Sequence, residues 1–257
     1  MHTNETLPYA LERLVVIGAP PETVFRYFTD SARWAAWWGA GSAIDARPGG
    51  RVLVRHPNGV EAVGEIREIR SPERIVFTFG YPGGKPMPPE GSLVTIGLEP
   101  HAQGTLLKLR HEFAEEGPRN DFVQGWRFQL SLFANAVANE VNAGAADAVD
   151  MWFALWTIPD EGSRAEAIAR IASPEVRFRD RYSLLDGIEE LAIHIGAAQR
   201  FMPGIRMERQ GEIRHCLGTV LADWVVRTSD GSARMKGTNV FQIGPRGKIE
   251  AVTGISG

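Results

Sequence analysis

The spacing of apolar residues changes character three times in the first half of the chain. Residues 11–19 are apolar and β-branched and predict a strand, and the following Pro20-Pro21-Glu22 is typical of a helix start. Between residues 50 and 113, apolar and polar positions alternate in five short runs separated by Gly- and Pro-rich turns, which predicts an antiparallel sheet. From residue 120 to the interruption at Gly144 the spacing is helical, so one long helix is expected to cover that sheet.

A second pattern follows the small, polar segment 138–150. It has helical spacing at 151–156, 163–171 and 187–201, a short strand at 176–180, and four strand-like runs between residue 205 and the carboxyl end. Helices followed by a sheet predict a second α+β domain shaped as a cone. Because 257 residues also exceed the usual size of one domain, we expect two α+β domains, residues 1–143 and 144–257.

The stretch SARWAAWWGAG concentrates three of the seven tryptophans within five positions. Trp34, Trp37 and Trp38 stand at i, i+3 and i+4, which places them on one face of a helix. We interpret this face as a hydrophobic plug between small helices and the sheet. Trp37 is the one of the three that could reach the rim of a cavity.

Composition and charge exclude several classes of partner. The formal net charge is −3 and the basic residues form no long run, so a nucleic-acid partner is not expected. No apolar run is long enough to span a bilayer and the first residues lack a leader pattern, so we expect a cytoplasmic protein without a membrane partner. The single cysteine, Cys216, agrees with a reducing compartment, and its apolar neighbours predict a buried thiol.

The sequence gives no indication of a metal or a cofactor. GAGSA at residues 39–43 lacks the lysine and the flanking strand and helix of a phosphate-binding loop. His56 and His111 lack a carboxylate or cysteine partner at a ligand spacing. We therefore expect neither a nucleotide cofactor nor a metal ion.

Several motifs of the first half occur in the order of one known superfamily. They are APPETVF at 19–25, the tryptophans at 34, 37 and 38, RPGGR at 47–51, SPERIVFTF at 71–79, GTLLKLRHEF at 104–113 and GW at 125–126. On these motifs the first half resembles the SRPBCC superfamily, and within it the homologues of the activator of the heat-shock-protein ATPase. The resemblance implies a START- or Bet v 1-like helix-grip fold, with an antiparallel sheet wrapped on a long carboxy-terminal helix around a cavity. The sequence shows none of the chaperone contacts of the true activator, so that activity is not carried over.

The second half carries another set of motifs. They are FRDRYSLLDG at 178–187, HIGAAQRFMPG at 194–204, ADWVVRT at 222–228 and GTNVFQIGPRGKIEAVTGI at 237–255. On these motifs it resembles the nuclear transport factor 2-like superfamily, close to the SnoaL-like branch, whose cone hosts both enzymes and non-catalytic domains. Many relatives have an aspartate where this chain has Asn239, so one acid or base of those relatives is missing here.

Strand alternation selects the candidate site residues of the second domain, since side chains two apart share a face. The residues that could line one pocket are Asp180, His215, Trp224, Met235, Asn239 and Phe241. In a catalytic interpretation Asp180 or His215 is a general base, and Asn239 and Trp224 donate hydrogen bonds to a carbonyl or enolate oxygen. In a structural interpretation His215 is a core histidine, Asp180 binds backbone amides at a turn and Asn239 pairs with the backbone.

In the first domain, His56, His111, Trp37 and Trp126 are the side chains that could face a cavity under the long helix. Our leading hypothesis is a protein that binds a small hydrophobic molecule in one or both cavities and has no assigned catalytic activity. One alternative is a cofactor-independent isomerase, cyclase or hydratase acting in the second cone. Another is that the second domain serves mainly as a homodimerisation module, through an outer sheet face that carries Arg206, Glu208, Asp223 and Arg227.

Overall fold

The α+β fold class is confirmed by the computed structural model, which describes residues 7–257. The chain divides after Ala138 into two compact units. This division falls inside the long helix, which ends at Val141. The domain limits of 1–143 and 144–257 therefore remain the prediction for where each fold begins and ends.

The first unit is a seven-stranded antiparallel sheet with three helices. The strands are β1 (Tyr9–Ile17), β2 (Ala43–Ile44), β3 (Arg51–Arg55), β4 (Glu61–Arg70), β5 (Arg74–Phe79), β6 (Ser92–His101) and β7 (Gly104–Phe113), in the order β1-β7-β6-β5-β4-β3-β2. The helices are α1 (Pro21–Arg26), α2 (Ser31–Trp38) and α3 (Glu116–Val141). The five strands expected between residues 50 and 113 are all present, and so is the long helix that follows them.

Helix α2 is defined by its two ends. The Asp30 side chain accepts a hydrogen bond from the Arg33 amide at 2.9 Å and so caps the first turn. The helix stops at Gly39, which has φ +131°, and a Cβ there would lie 2.5 Å from the Arg55 carbonyl oxygen. This short helix positions its three tryptophans against the sheet.

Those tryptophans form the centre of an aromatic core. Trp34, Trp37 and Trp38 are 0%, 2% and 6% exposed, and the Trp34 indole nitrogen donates to the Leu53 carbonyl at 3.0 Å. The Trp37 ring packs edge-on against Phe133 of α3 at 5.0 Å, in the geometry aromatic pairs prefer. The structure therefore makes Trp37 a core residue, like its two neighbours, and not a residue of a cavity rim.

The second unit places three helices against a six-stranded sheet. The helices are α4 (Ala145–Ala154), α5 (Glu161–Ile171) and α6 (Gly187–Phe201), with a short 3-10 turn at Leu155–Thr157. The strands are β8 (Ala172–Arg179), β9 (Leu184–Asp186), β10 (Arg206–Cys216), β11 (Thr219–Arg227), β12 (Ala233–Ile243) and β13 (Ile249–Ser256), in the order β10-β11-β12-β13-β8-β9. Strands β13 and β8 pair in parallel, and the other pairs are antiparallel.

A buried arginine fixes helix α6 against helix α5. Arg164 is 2% exposed, and its guanidinium donates to the carbonyls of Ala192 at 3.0 Å and Ile158 at 2.7 Å. A Cβ on Gly196 would lie 2.4 Å from this guanidinium, so the glycine permits the approach. The hydrogen bonds compensate for the burial of the charge, and they hold in place the helix that forms one wall of the site described below.

Two predictions for this unit are wrong. Phe241 is fully buried and packs edge-on against Trp152 at 5.8 Å, so it belongs to the core and not to a pocket wall. Cys216 is exposed, because β10 ends at this residue and Leu217 and Gly218 turn the chain with positive φ values. Within residues 7–257, no helix is both long and apolar enough to cross a membrane.

Candidate functional site

A pocket of about 480 Å³ lies at one end of the second sheet. It is bounded by the last residues of β8, β11 and β13, the first residues of β10 and β12, and the second half of α6. Its apolar lining comprises Trp156, Phe178, Tyr182, Ala197, Ala198, Phe201, Met202, Ile205, Met207, Trp224, Val226, Met235 and Gly254. Its polar lining comprises Asp180, Arg181, Ser183, His194, Asn239 and Ser256. This composition and size are usual for small-molecule sites in proteins.

The pocket is buried at its base and lined by exposed aromatic side chains at its mouth. Trp224 and Asn239, at the base, are 5% and 3% exposed. Tyr182 and Phe201 are 76% and 85% exposed, although both line the pocket. A molecule that enters would cover these two rings before it reaches the buried base.

At the base, the Trp224 indole nitrogen donates a hydrogen bond to Asn239 Oδ1 at 2.9 Å. On the paired strands β11 and β12, Trp224 lies opposite Gly237 and Asn239 lies opposite Ala222. The indole thus reaches diagonally across the backbone of Gly237, where a Cβ would lie 2.4 Å from the ring. The small residues Gly237 and Ala222 make room for this pair.

The hydrogen bond fixes the orientation of the Asn239 amide. An indole N–H can only donate, so the atom it meets is the amide oxygen and the amide nitrogen points away from the ring. That nitrogen donates to no group within residues 7–257, and it belongs to a residue that is 3% exposed and lines the pocket. The base of the pocket therefore presents a fixed N–H donor without a protein partner.

Asp180 lines the same pocket, as the catalytic interpretation requires. It follows β8, and its Oδ1 accepts a hydrogen bond from the Tyr182 amide at 2.7 Å, as the structural interpretation expects. A Cβ on Gly254 would lie 3.2 Å from Asn239 Oδ1 and 3.3 Å from the Asp180 Cβ, so that glycine separates the two side chains. Asp180 is thus both a turn residue and a carboxylate of the pocket wall.

His194 and Ser183 are pocket residues that our sequence reasoning did not select. The His194 Nε2 lies 3.3 Å from the Ser183 Oγ, and both side chains line the pocket. His194, Ala197, Ala198 and Phe201 stand at i, i+3, i+4 and i+7 of α6, which is the spacing of one helix face. This spacing could have identified His194 from the sequence, because a histidine in line with apolar residues on one helix face lies on the side that the helix buries.

His215 does not join these residues, which corrects the predicted grouping. It lies opposite Val220, four residues before Trp224 on β11, and four strand residues span about 13 Å. Its Nε2 accepts a hydrogen bond from the Gly218 amide at 3.1 Å in its own turn, and partial burial lowers its pKa. Alternation had placed His215 on the correct face, but at the opposite end of the sheet. Of the six predicted residues, Asp180, Trp224, Met235 and Asn239 line the pocket.

In the first unit, His111 stands in a fully bonded buried chain. It is 0% exposed, the Trp126 indole nitrogen donates to its Nδ1 at 2.9 Å, and its Nε2 lies 2.8 Å from the Ser92 hydroxyl. That hydroxyl donates to the Phe79 carbonyl at 2.7 Å. Because Nδ1 accepts, the ring is the neutral Nε2–H tautomer, and burial lowers its pKa to about 3.

His111 and Trp126 are therefore core residues rather than free polar groups of a cavity. His56, just after β3, is half-buried and packs edge-on to Trp38 at 6.0 Å, and burial lowers its pKa. Aromatic rings contact one another throughout this interior, as in the stacked pair of Trp38 and Phe79 at 6.1 Å. The polar side-chain atoms of Trp37, His111 and Trp126 are thus engaged with protein groups.

The outer face of the second sheet is polar. Its exposed charges pair with one another, as in Arg214 with Asp223 at 3.2 Å and Arg227 with Glu208 at 3.4 Å. Exposed pairs of this kind contribute little to stability. Homodimerisation through this face stays a prediction.

The sequence resemblance of the first half is confirmed, since residues 18–138 match the family described as Activator of Hsp90 ATPase homolog 1-like protein. No curated protein matches the chain. Similar solved structures include an AHSA1-like protein from Rhizobium etli, with 29% identity, 53% of this chain and 86% of that chain covered, and a TM-score of 0.43. Another is the Aha1 dimer from Colwellia psychrerythraea, with 16% identity, coverages of 50% and 96%, and a TM-score of 0.45. A SnoaL-like family protein from Agrobacterium tumefaciens has 22% identity, coverages of 43% and 95%, and a TM-score of 0.42.

Proposed function

We propose that the protein binds a small, largely apolar molecule in the pocket of its second domain. The observation that carries this proposal is a pocket of about 480 Å³ whose wall is mostly apolar and whose base holds Asn239, a residue 3% exposed whose amide nitrogen has no protein partner within residues 7–257. An apolar wall favours apolar ligands through the surface it removes from water, and a few placed polar groups fix their orientation.

The contrast between the two units supports this location. In the first unit the candidate residues Trp37, His111 and Trp126 are packed and hydrogen-bonded within the protein. In the second unit Trp224 donates a hydrogen bond to Asn239, and the amide nitrogen of Asn239 remains available to a ligand. The first domain then serves as a packed module, and the second provides the ligand site.

A second candidate function, proton transfer on a bound ligand, is favoured by the position of Asp180. Its carboxyl group lines the pocket that also holds His194 and Asn239. A base within hydrogen-bonding reach of a ligand proton is the first geometric requirement of acid–base catalysis. In this alternative Asp180 alone is the general base, a role for which the sequence had offered both Asp180 and His215.

The proposal is tested by blocking the pocket from helix α6. Ala198→Trp fills the wall, so we expect the affinity for the uncharged dye 1,6-diphenylhexatriene to fall about tenfold, as burial of much of its apolar surface is lost. The measurement is a fluorescence titration of the full chain, with native mass spectrometry of the purified protein to detect a molecule carried over from its source.

The matched control is Ala169→Trp, on an exposed position of helix α5 outside the pocket lining. It adds the same side chain to the same type of element, so dye affinity should stay at the wild-type value. Equal affinities in all three proteins would contradict the proposed site.

A further inference from the structure

We propose that the ligand carries a carbonyl oxygen, or an equivalent uncharged hydrogen-bond acceptor, that binds the amide nitrogen of Asn239. This inference rests on the proposed function and deepens it, since it names a chemical group that the pocket selects. It follows from the orientation of the Asn239 amide, from the residues that fix this orientation, and from the apolar side chains around it.

An asparagine ordinarily offers either a donor or an acceptor to a ligand, because its amide can turn over. Asn239 cannot do so without breaking its 2.9 Å bond to Trp224, since a turned amide would set its NH₂ against the indole N–H. Two donors facing each other in such a site lose a hydrogen bond and leave both groups unpaired, which is unfavourable. Asn239 therefore presents a hydrogen-bond donor, and not an acceptor, to a ligand in the pocket.

The residues that fix the Asn239 amide are themselves closely packed. Trp224 is 5% exposed, and its ring lies directly against the backbone of Gly237. Gly254, which has no side chain, keeps the space between Asn239 Oδ1 and the Asp180 Cβ open. The donor is thus oriented before any ligand arrives, and binding does not require the side chain to be ordered at that moment.

Its surroundings define the rest of the ligand. Side chains next to Asn239 on the inner face include the apolar Ala222, Trp224 and Phe241, which offer its amide nitrogen no hydrogen-bond acceptor. A bound acceptor would pair the amide hydrogens, whereas an apolar group in the same place would leave them unpaired. An amine would bring further N–H donors against the amide. The fitting class is an apolar molecule with a carbonyl at its buried end.

The test uses two probes that differ at one group. One is the ketone 6-propionyl-2-dimethylaminonaphthalene, and the other is 6-propyl-2-dimethylaminonaphthalene, which has a methylene in place of the carbonyl. Both are titrated by fluorescence into the full wild-type chain and into Asn239→Leu. We expect the affinity ratio of ketone to propyl probe to be five- to tenfold higher in the wild type than in the variant, which is the value of one hydrogen bond.

An unchanged ratio would overturn the inference while the proposed function stands, because both probes would still bind. If neither probe binds the wild-type protein, the proposed function fails and the inference fails with it. Infrared spectroscopy of the ketone bound to wild-type protein gives a readout that does not depend on the variant's folding. Its C=O band should lie at lower wavenumber than in an alkane, and a band at the alkane position would also overturn the inference.

Discussion

Replacing Gly237 by alanine should lower the free energy of unfolding of the second domain by about 3 kcal/mol and abolish selection for carbonyl-bearing ligands. A Cβ at this position would lie 2.4 Å from the Trp224 ring and 2.3 Å from the Ile255 carbonyl oxygen. The indole has to leave its place across β12, and the neighbouring strand β13 has to shift. Asn239 then loses the donor that orients it. Urea unfolding and the two-probe titration measure the two effects.

The matched control for this variant is Gly97→Ala, a glycine-to-alanine change in strand β6 of the first unit. There the nearest atoms to a new Cβ belong to Lys108 at 3.8 Å, which is ordinary contact. Stability of the second domain and probe affinity should both stay at the wild-type value in this control. A Gly237→Ala protein that behaves like the control would show that the indole does not depend on this glycine.

Acid should destabilise the first domain through His111. Its pKa is about 3 in the folded protein and near the ordinary 6.5 in the unfolded chain, so below pH 6.5 the unfolded chain binds a proton that the folded protein does not. Stability is therefore complete above pH 6.5 and falls with pH toward 3. Between pH 7 and pH 4.5 this one group should remove about 2.5 kcal/mol from the free energy of unfolding.

The measurement is urea unfolding at the two pH values, monitored by the indole N–H signal of Trp126. This indole bonds to His111, so the signal reports the loss of unfolding free energy in the first domain. The comparison protein is His111→Gln, which keeps polar atoms at the site and carries no titrating group. We expect its unfolding free energy at pH 7 to be lower than that of wild type, because the bonds of the imidazole are lost, and its decrease on going to pH 4.5 to be smaller by about 2.5 kcal/mol. Equal decreases in the two proteins would mean that His111 does not sense the pH.

The periodicity of apolar residues predicted the elements of both domains, because each helix or strand buries one face and this sets the spacing of its apolar residues. The alternation from residue 50 to 113 became strands β3 to β7, and the i, i+3, i+4 tryptophans became the buried face of α2. The helix predicted at 187–201 is α6. These outcomes depend on local spacing, which a sequence displays directly.

The site was only partly predictable, since a pocket depends on distances along strands and between elements. Alternation assigned Asp180, Trp224 and Asn239 to the inner face, and all three line the pocket. The same argument assigned His215 to that face but could not show that it lies four residues beyond the pocket on the neighbouring strand. The hydrogen bond from Trp224 to Asn239 also needed the register of β11 and β12, which sequence reasoning did not supply.

The stretch SARWAAWWGAG and the strand GTNVF show how similar residues take different roles. The tryptophans of the first are packed against other rings and leave no room for a ligand among them. In the second, Gly237 and Asn239 create a space and a donor beside a single indole. This contrast supports the proposal of a ligand site in the second domain.

The seven tryptophans allow the central claim, ligand binding in the second domain, to be tested in one measurement. Their indole N–H signals in ¹⁵N-tryptophan-labelled full-length protein report on the first unit at four positions, Trp34, Trp37, Trp38 and Trp126, and on the second at Trp152, Trp156 and Trp224. On saturation with 6-propionyl-2-dimethylaminonaphthalene, the signals of Trp156 and Trp224 should shift while the four of the first unit stay in place. Shifts confined to the first unit, with Trp224 unchanged, would contradict the account.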